Sequence, residues 1–354
     1  MVDLTPFLVG PDATIRDAMR SIDANGRGIV LVVALDRTLL GTVTDGDIRR
    51  AILSGLDLTL TVSALVERKP PDVHKPPLTM PAGTSAAELL EVMNRHDLRH
   101  VPIVDGDRVV DLAFLGDLVK EYELPLRAMV MAGGFGTRLK PLTDQVPKSM
   151  LPVGDRPLLE LIVRQLQQAG IRRVNLATHY KADVIEQHFG DGSEFSVDIQ
   201  YVNEHQPLGT AGAIGLLSAS HEPLLVINGD ILTQVDFGAM LDFHRTHAAD
   251  MTVAVRPSEL HVPYGVVETA GVEVVAVSEK PVMRYFVNAG IYLLNPDVCE
   301  FVPNGQRFDM PDLIARLIVE RKRVISFPIH EYWRDIGKRE DYHRAVADAE
   351  KGEL

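Results

Sequence analysis

A single cysteine, Cys299, is all that the 354-residue sequence contains, so neither an intramolecular disulfide nor a cysteine-rich zinc site is possible. Long apolar runs are missing as well: none approaches the roughly 20 residues that cross a bilayer. The opening stretch MVDLTPFLVGPDATIRDAM lacks both a basic region ahead of a long apolar segment and the composition of a transit peptide. A cytoplasmic protein with no membrane partner is expected. Excess positive charge is also absent. Against 49 Asp and Glu stand 36 Lys and Arg, a net charge of -13, which argues against a protein that coats nucleic acid. Any anionic ligand must then be held by a few placed cations. What remains is ordinary globular material, with 46% hydrophobic and 24% charged residues, long enough for two units that each bury a core.

The pattern changes near Pro125. Residues 127–350 alternate apolar strands with amphipathic helices. Strands are predicted over Ala128 to Ala132, Val174 to Thr178, Ile199 to Val202, Leu224 to Asn228, Met251 to Val255 and Asn288 to Leu294. Helices are predicted over Leu158 to Ala169, Ala182 to Phe189 and Phe237 to His247. This is an α/β domain, a sheet with helices on its faces, and in such sheets ligands sit outside the carboxyl ends of the strands. The first 125 residues instead repeat one unit at an offset of about 70. Thr14 begins TIRDAMRSI and Thr84 begins TSAAELLEVM; the strands IVLVV from Ile29 and VPIV from Val101 follow. GTVTDGDIRRAI from Gly41 then matches DLAFLGDLVKEY from Asp111. The two copies, about 1–66 and 67–125, meet at the proline-rich join KPPDVHKPP from Lys69.

The strongest chemical signal is AMVMAGGFGTRLKPLTDQVPKSMLPV, from Ala128 to Val153. A strand empties into Gly133, Gly134 and Gly136, whose missing side chains let backbone N–H groups approach phosphate oxygens. Thr137 belongs to the same loop, and Arg138 and Lys148 add fixed positive charge against a triphosphate. The run has neither the G-x-G-x-x-G of a dinucleotide turn nor the Gly-Lys-Ser/Thr of a Walker loop. Read whole, it resembles the signature G-G-x-G-T-R-L-x-P-L-T followed by P-K of the sugar-phosphate nucleotidyltransferases, a likeness that extends over residues 127 to 345.

That resemblance implies a Rossmann-like domain with a mixed sheet and a metal-assisted transfer. LLVINGD from Leu224 ends a strand in Asp230, and WRDIGKREDY from Trp333 sets Asp335 beside an Ile336-Gly337 turn. Hard dications favour oxygen ligands, and the family assigns Mg2+ to the positions of Asp230 and Asp335. It also implies that Lys280 of SEKPVM meets the sugar phosphate, as the third catalytic cation after Arg138 and Lys148. Glu279, Asn288 of NAGIYLLNP, and Tyr264 and Gly265 of VPYGVV would line the sugar pocket. Gly209 and Thr210 of PLGTAGAI would pack against the nucleobase. Glu204, just upstream, could accept both the N1–H and N2–H of guanine, where uracil and thymine would suit an amide better. The expected reaction is therefore transfer from an NTP, GTP by this argument, to a mannose, glucosamine or heptose 1-phosphate, with release of pyrophosphate. A thymidylyl- or uridylyltransferase, or a non-catalytic regulator that binds a sugar nucleotide, are the alternatives. The sequence ends soon after Asp335, so the left-handed β-helix and acetyltransferase activity of some relatives are not expected.

The N-terminal repeat resembles the α+β tandem of CBS modules, the Bateman arrangement named after cystathionine β-synthase. Such pairs take adenine nucleotides through a Thr or Ser followed three residues later by Asp. Copy one offers Thr44 and Asp47. Copy two has Phe114 in place of the hydroxyl and keeps Asp117. The pair is expected to bind a regulatory nucleotide or to serve assembly into a homodimer or larger oligomer. His244 and His247 of FHRTH have no third ligand in sequence, and the expectation is an exposed helical face, not a metal site.

Overall fold

Helix starts in the N-terminal repeat are written as capping boxes, in which a hydroxyl and a carboxylate three residues on satisfy each other's free backbone N–H groups. Thr14 with Asp17 opens the helix Ile15–Asn25, and Ser85 with Glu88 opens its counterpart Ala86–His96. The computed structural model describes residues 3–69, 76–119 and 123–352. Residues 70–75 of the proline-rich join lie outside them. The chain forms two compact units, Met1–Leu124 with Asp236–Ala239, and Pro125–Val235 with Met240–Leu354.

Each copy in the first unit is a three-stranded sheet with helices. Leu8–Val9, Ile29–Val33 and Leu39–Thr44 make one; Met80–Pro81, His100–Asp105 and Arg108–Phe114 make the other. The registers repeat, Leu8 pairing with Leu31 as Met80 pairs with Ile103. The copies share a core in which Leu31, Val33 and Ile29 of the first meet Val109, Leu112 and Phe114 of the second. They differ after the last strand. Thr44 caps a nine-residue helix, Asp45–Leu53; Phe114 offers no side-chain cap, and the matching helix, Leu115–Leu118, has four residues.

The second unit is a seven-stranded sheet with strands Arg127–Met131 (β1), Arg173–Thr178 (β2), Asp198–Asn203 (β3), Leu224–Asn228 (β4), Met251–His261 (β5), Val282–Leu294 (β6) and Val324–Pro328 (β7). Their order is β3-β2-β1-β4-β6-β5-β7. The first four are mutually parallel, while β6 runs antiparallel to both its neighbours. β1 through β4 therefore deliver their carboxyl ends to one edge. Helix Met310–Val319 covers one face through Met310, Leu313 and Leu317, packed with Val226, Tyr292 and Leu294.

β5 and β6 are longer than their apolar runs predict. Beyond Val255 and Asn288 they continue as an exposed two-stranded arm to His261 and Val282, followed by a second hairpin, Val266–Ala270 with Glu273–Ser278. Polar breaks such as Arg256-Pro257-Ser258 hide this extension, because cross-strand pairing and not periodicity holds it. His244 also differs from expectation. It is buried rather than on an exposed face, with Nδ1 2.8 Å from Thr252 Oγ1 and Nε2 3.1 Å from Asn295 Oδ1, and burial lowers its basicity. His247 bonds back to the Phe243 carbonyl. No helix among the described residues is long and apolar enough to cross a membrane.

Candidate active site

Charged residues and apolar anchors are adjacent in sequence all along the carboxyl edge of the second unit. Leu139 follows Arg138, Leu151 lies one turn beyond Lys148, Leu232 stands two residues after Asp230 and Ile336 follows Asp335; all four apolar side chains enter one buried cluster with Val153 and Leu158. Burying a leucine or isoleucine is worth roughly 1.5–3 kcal/mol. The anchors thus fix the backbone from which each charged group projects.

The loop after β1 closes against its own lysine. Gly136 is in the left-handed region, and a Cβ there would stand 2.8 Å from Thr143 Cγ2 and 2.9 Å from Lys148 Cβ. No other residue fits both restraints. Thr143 ties the turn by donating from Oγ1 to the Gly136 carbonyl at 2.9 Å. Thr137 and Arg138 occupy the short 3-10 turn Thr137–Leu139 and are exposed.

Asp230 and Asp335 meet because the strand Ile231–Thr233 pairs antiparallel with Trp333–Asp335, Ile231 opposite Asp335. The Ile336 N–H donates to the Asp230 backbone carbonyl at 2.9 Å. Lys148 forms an ion pair with the Asp230 carboxylate. Loss of surrounding water and the charge of Asp230 push Asp335 above the usual carboxylate range, against the opposing pull of Lys148 and Arg138.

On the other side of the loop, Glu204 follows β3. Its Oε2 accepts from the Leu208 N–H at 2.8 Å, and a Cβ on Gly133 would lie 3.1 Å from its Oε1. Burial raises its carboxyl above the usual range. The turn Pro207 to Thr210 is held by Asp309, which accepts from the Thr210 N–H at 2.9 Å, while Thr210 Oγ1 accepts from the Met310 N–H at 2.8 Å. A Cβ on Gly209, at φ +83, would collide with the Asp309 carboxylate.

Gly133, Gly134, Lys148, Glu204, Gly209, Thr210 and Asp230 line one cavity. Phe135, Ser149 and Asn228 line it too and were not singled out in sequence. Phe135 stands in the variable position of G-G-x-G, 45% exposed. Ser149 Oγ and Asn228 Oδ1 are buried without a hydrogen-bond partner among the described residues. Leaving such an atom unmade costs on the order of 1–3 kcal/mol, so neither could have been found without the tertiary structure.

The structure does not bring the expected sugar residues to this cavity. Tyr264, 74% exposed, and Gly265, Glu279 and Lys280 lie around the base of the outer hairpin, where a Cβ on Gly265 would be 3.1 Å from the Glu279 carboxylate. Lys280 adopts a φ of 45°. Asn288 sits where the arm leaves the sheet, its Oδ1 accepting from the Gly290 N–H at 3.0 Å.

In the first unit, Thr44 and Asp47 cap a helix. The Asp47 carboxylate, 2% exposed, also binds Lys69 Nζ at 2.7 Å and Arg50 at 2.6 Å. Burial opposes its ionisation, but the two cations hold it below the usual range. Asp117 is taken by Arg27 from the other copy, through bonds of 3.0 and 3.2 Å, and that guanidinium lies 4.6 Å over the Phe114 ring.

Comparison with known proteins follows the same division. Residues 3–54 and 72–123 match the CBS domain model, and residues 127–352 match the model described as nucleotidyl transferase. A mannose-1-phosphate guanylyltransferase of Mycobacterium tuberculosis is 37% identical over 64% of this chain, and the chain spans 65% of that relative's length. A D-glycero-alpha-D-manno-heptose 1-phosphate guanylyltransferase of Aneurinibacillus thermoaerophilus is 33% identical over 62% of this chain and 96% of its own. Among solved structures, HddC from Yersinia pseudotuberculosis superimposes with a TM-score of 0.50 at 26% identity, over 63% of this chain and 99% of that one. The nucleotidyl transferase match takes in well over half of the sequence and every residue that lines the cavity, and on that ground this chain belongs to the nucleotidyl transferase family, with a pair of CBS domains N-terminal to that domain.

Proposed function

We propose that this protein transfers a guanylyl group from GTP to a sugar 1-phosphate of the mannose, glucosamine or heptose type, releasing pyrophosphate. The observation that carries the reading is the convergence of Lys148, Asp230 and Asp335 at the end of the glycine loop. An oxygen of the sugar 1-phosphate attacks the α-phosphorus in line; the new P–O bond forms as the bond to the β-phosphate oxygen breaks and pyrophosphate leaves. No side chain need become covalent, so catalysis rests on positioning and charge stabilisation. Arg138 and the loop N–H groups hold the β- and γ-phosphates, and Lys148 the α-phosphate. The roles implied for Lys280 at the sugar phosphate, and for Tyr264, Gly265, Glu279 and Asn288 around the sugar, require these residues, which stand outside the cavity lining, to come to the substrate when it binds. Two adjacent carboxylates suit a hard dication, and Asp230 and Asp335 would hold Mg2+, which screens one polyanion from the other when bound.

Guanine is favoured because Glu204 presents a carboxylate beside the Gly133 turn, and because the relatives named above are guanylyltransferases. Pyrophosphate release measured with all four NTPs against a panel of sugar 1-phosphates tests the whole reading. Turnover with GTP and at least one such sugar is expected; no turnover with any pair would leave a non-catalytic binder. Glu204→Gln should shift the ratio of kcat/KM away from GTP by about tenfold or more, since a mismatched buried group costs roughly 1–3 kcal/mol. An unchanged ratio would remove Glu204 from the base site.

For the CBS pair we infer a regulatory nucleotide site in copy one, at Thr44 and Asp47. For Asp47 to take ribose hydroxyls, its bond to Lys69 must open. In copy two Asp117 is engaged by Arg27. Calorimetric titration of AMP, ADP and ATP into the full chain should give one site per chain, lost in Asp47→Ala and retained in Asp117→Ala, with a change in turnover on binding. Binding that survives Asp47→Ala would move the site elsewhere, and no binding would leave the pair to assembly alone.

A further inference from the structure

Native proteins seldom leave a buried acceptor unpaired, and Asn228 Oδ1 is such an acceptor at the wall of the cavity. Asn228 ends β4, two residues before Asp230, and its amide is wedged against β6. Gly290, at φ +72, passes so close that a Cβ there would be 2.7 Å from Asn228 Nδ2. The amide therefore has little room to turn away, and no neighbour among the described residues satisfies its oxygen.

The chemistry of the atom narrows what it waits for. A carbonyl oxygen only accepts, so phosphate oxygens and carboxylates cannot satisfy it; the ammonium of Lys148 pairs with Asp230 and does not reach it. The missing partner is an O–H or N–H donor. Strand order then places that donor. Glu204 follows β3 at one end of the cavity, the glycine loop follows β1 in the middle, and Asn228 closes β4 on the far side, next to β6. A nucleotide with its base at Glu204 and its phosphates on the loop leaves the β4–β6 side to the second substrate, whose neutral donors are sugar hydroxyls.

We infer that Asn228 is a specificity residue that accepts a hydrogen bond from one hydroxyl of the acceptor sugar. The inference rests on the nucleotidyl-transfer reading above, and its test is built to fail separately. Asn228→Leu keeps the branched shape of the side chain and removes the acceptor. Calorimetric binding of the sugar 1-phosphate and its monodeoxy analogues, in the presence of a non-hydrolysable GTP analogue, reads recognition without turnover. The parent protein should bind one deoxy analogue about tenfold to a hundredfold more weakly than the sugar itself, the scale of one buried hydrogen bond. In Asn228→Leu that difference should vanish, while affinity for the GTP analogue stays within about twofold. Because the acceptor is unpaired before ligand binds, the melting temperature of ligand-free Asn228→Leu should hold or rise; a purely structural amide would lower it. Asn228→Thr, shorter and still an acceptor, should keep part of the discrimination. Equal losses for the sugar and every deoxy analogue, or a loss confined to the nucleotide, would overturn the inference. Pyrophosphate release by the parent protein, assayed in parallel, shows whether the underlying activity stands.

Discussion

Lys148→Ala should lower kcat at saturating substrates by about a hundredfold to a thousandfold, the usual consequence of removing one preorganised charge from a developing oxyanion. Lys148 starts the short turn Lys148–Met150, and its backbone is locked between Gly136 and the apolar anchors Leu139 and Leu151. Alanine leaves those contacts in place. The lost group is an ammonium whose only described bond is to Asp230. A pair that still reaches solvent contributes little to folding, so the melting temperature should move by only a few degrees while turnover collapses. Single-turnover kinetics beside a thermal melt separates the two. A variant that melts normally and turns over at near the parental rate would show that the lysine is a structural partner of Asp230 and nothing more.

Asp230→Asn and Asp335→Asn should each reduce kcat/KM by about a hundredfold or more and raise the Mg2+ concentration needed for half-maximal rate, since an amide oxygen is a poorer ligand for a hard dication. The two are coupled: Asp335 is held above the ordinary carboxylate range, first by desolvation and then by the charge of Asp230. A carboxyl with a raised value stays protonated to a higher pH, and the protonated form cannot ligate. Parental activity should therefore fall as pH drops through that raised value, at a higher pH than an ordinary aspartate would impose. Asp335→Asn, having no proton to lose there, should show no such limb, and Asp230→Asn should shift the limb to lower pH by removing the repelling charge. Metal titrations and pH–rate profiles of the three proteins supply the check. A parental metal response in either variant would take that residue out of the metal site.

The phosphate loop could be read from sequence because its chemistry is local. Gly133, Gly136, Arg138 and Lys148 lie within one short stretch, and backbone N–H groups need only the absence of side chains and the right turn to face an anion. The CBS repeat was legible for a similar reason: capping residues and apolar strands recur in order, and Thr14 and Ser85 cap their helices as hydroxyls in that position do. Motif order likewise drew attention to Asp230 and Asp335, though nothing local said that they touch.

What only the tertiary structure decided concerns partners. The register of Ile231 against Asp335 joins two carboxylates that stand far apart in the sequence. Arg27 reaches Asp117 from the other repeat, and Lys69 reaches Asp47, so two aspartates that sequence marks as ligands already hold cations. Asn228 and Ser149 are ordinary polar residues in the sequence and become notable only when burial leaves them unpaired. Tyr264, Glu279 and Lys280 lie exposed in the bends between the arm built from β5 and β6 and the outer hairpin, outside the cavity lining. The division has one physical cause. Backbone conformation, capping and the alternation of anchor and charge depend on neighbours along the chain and are written in residue order. Which charge meets which, and which buried atom is left without a partner, depends on distances across the sheet that the chain acquires only on folding.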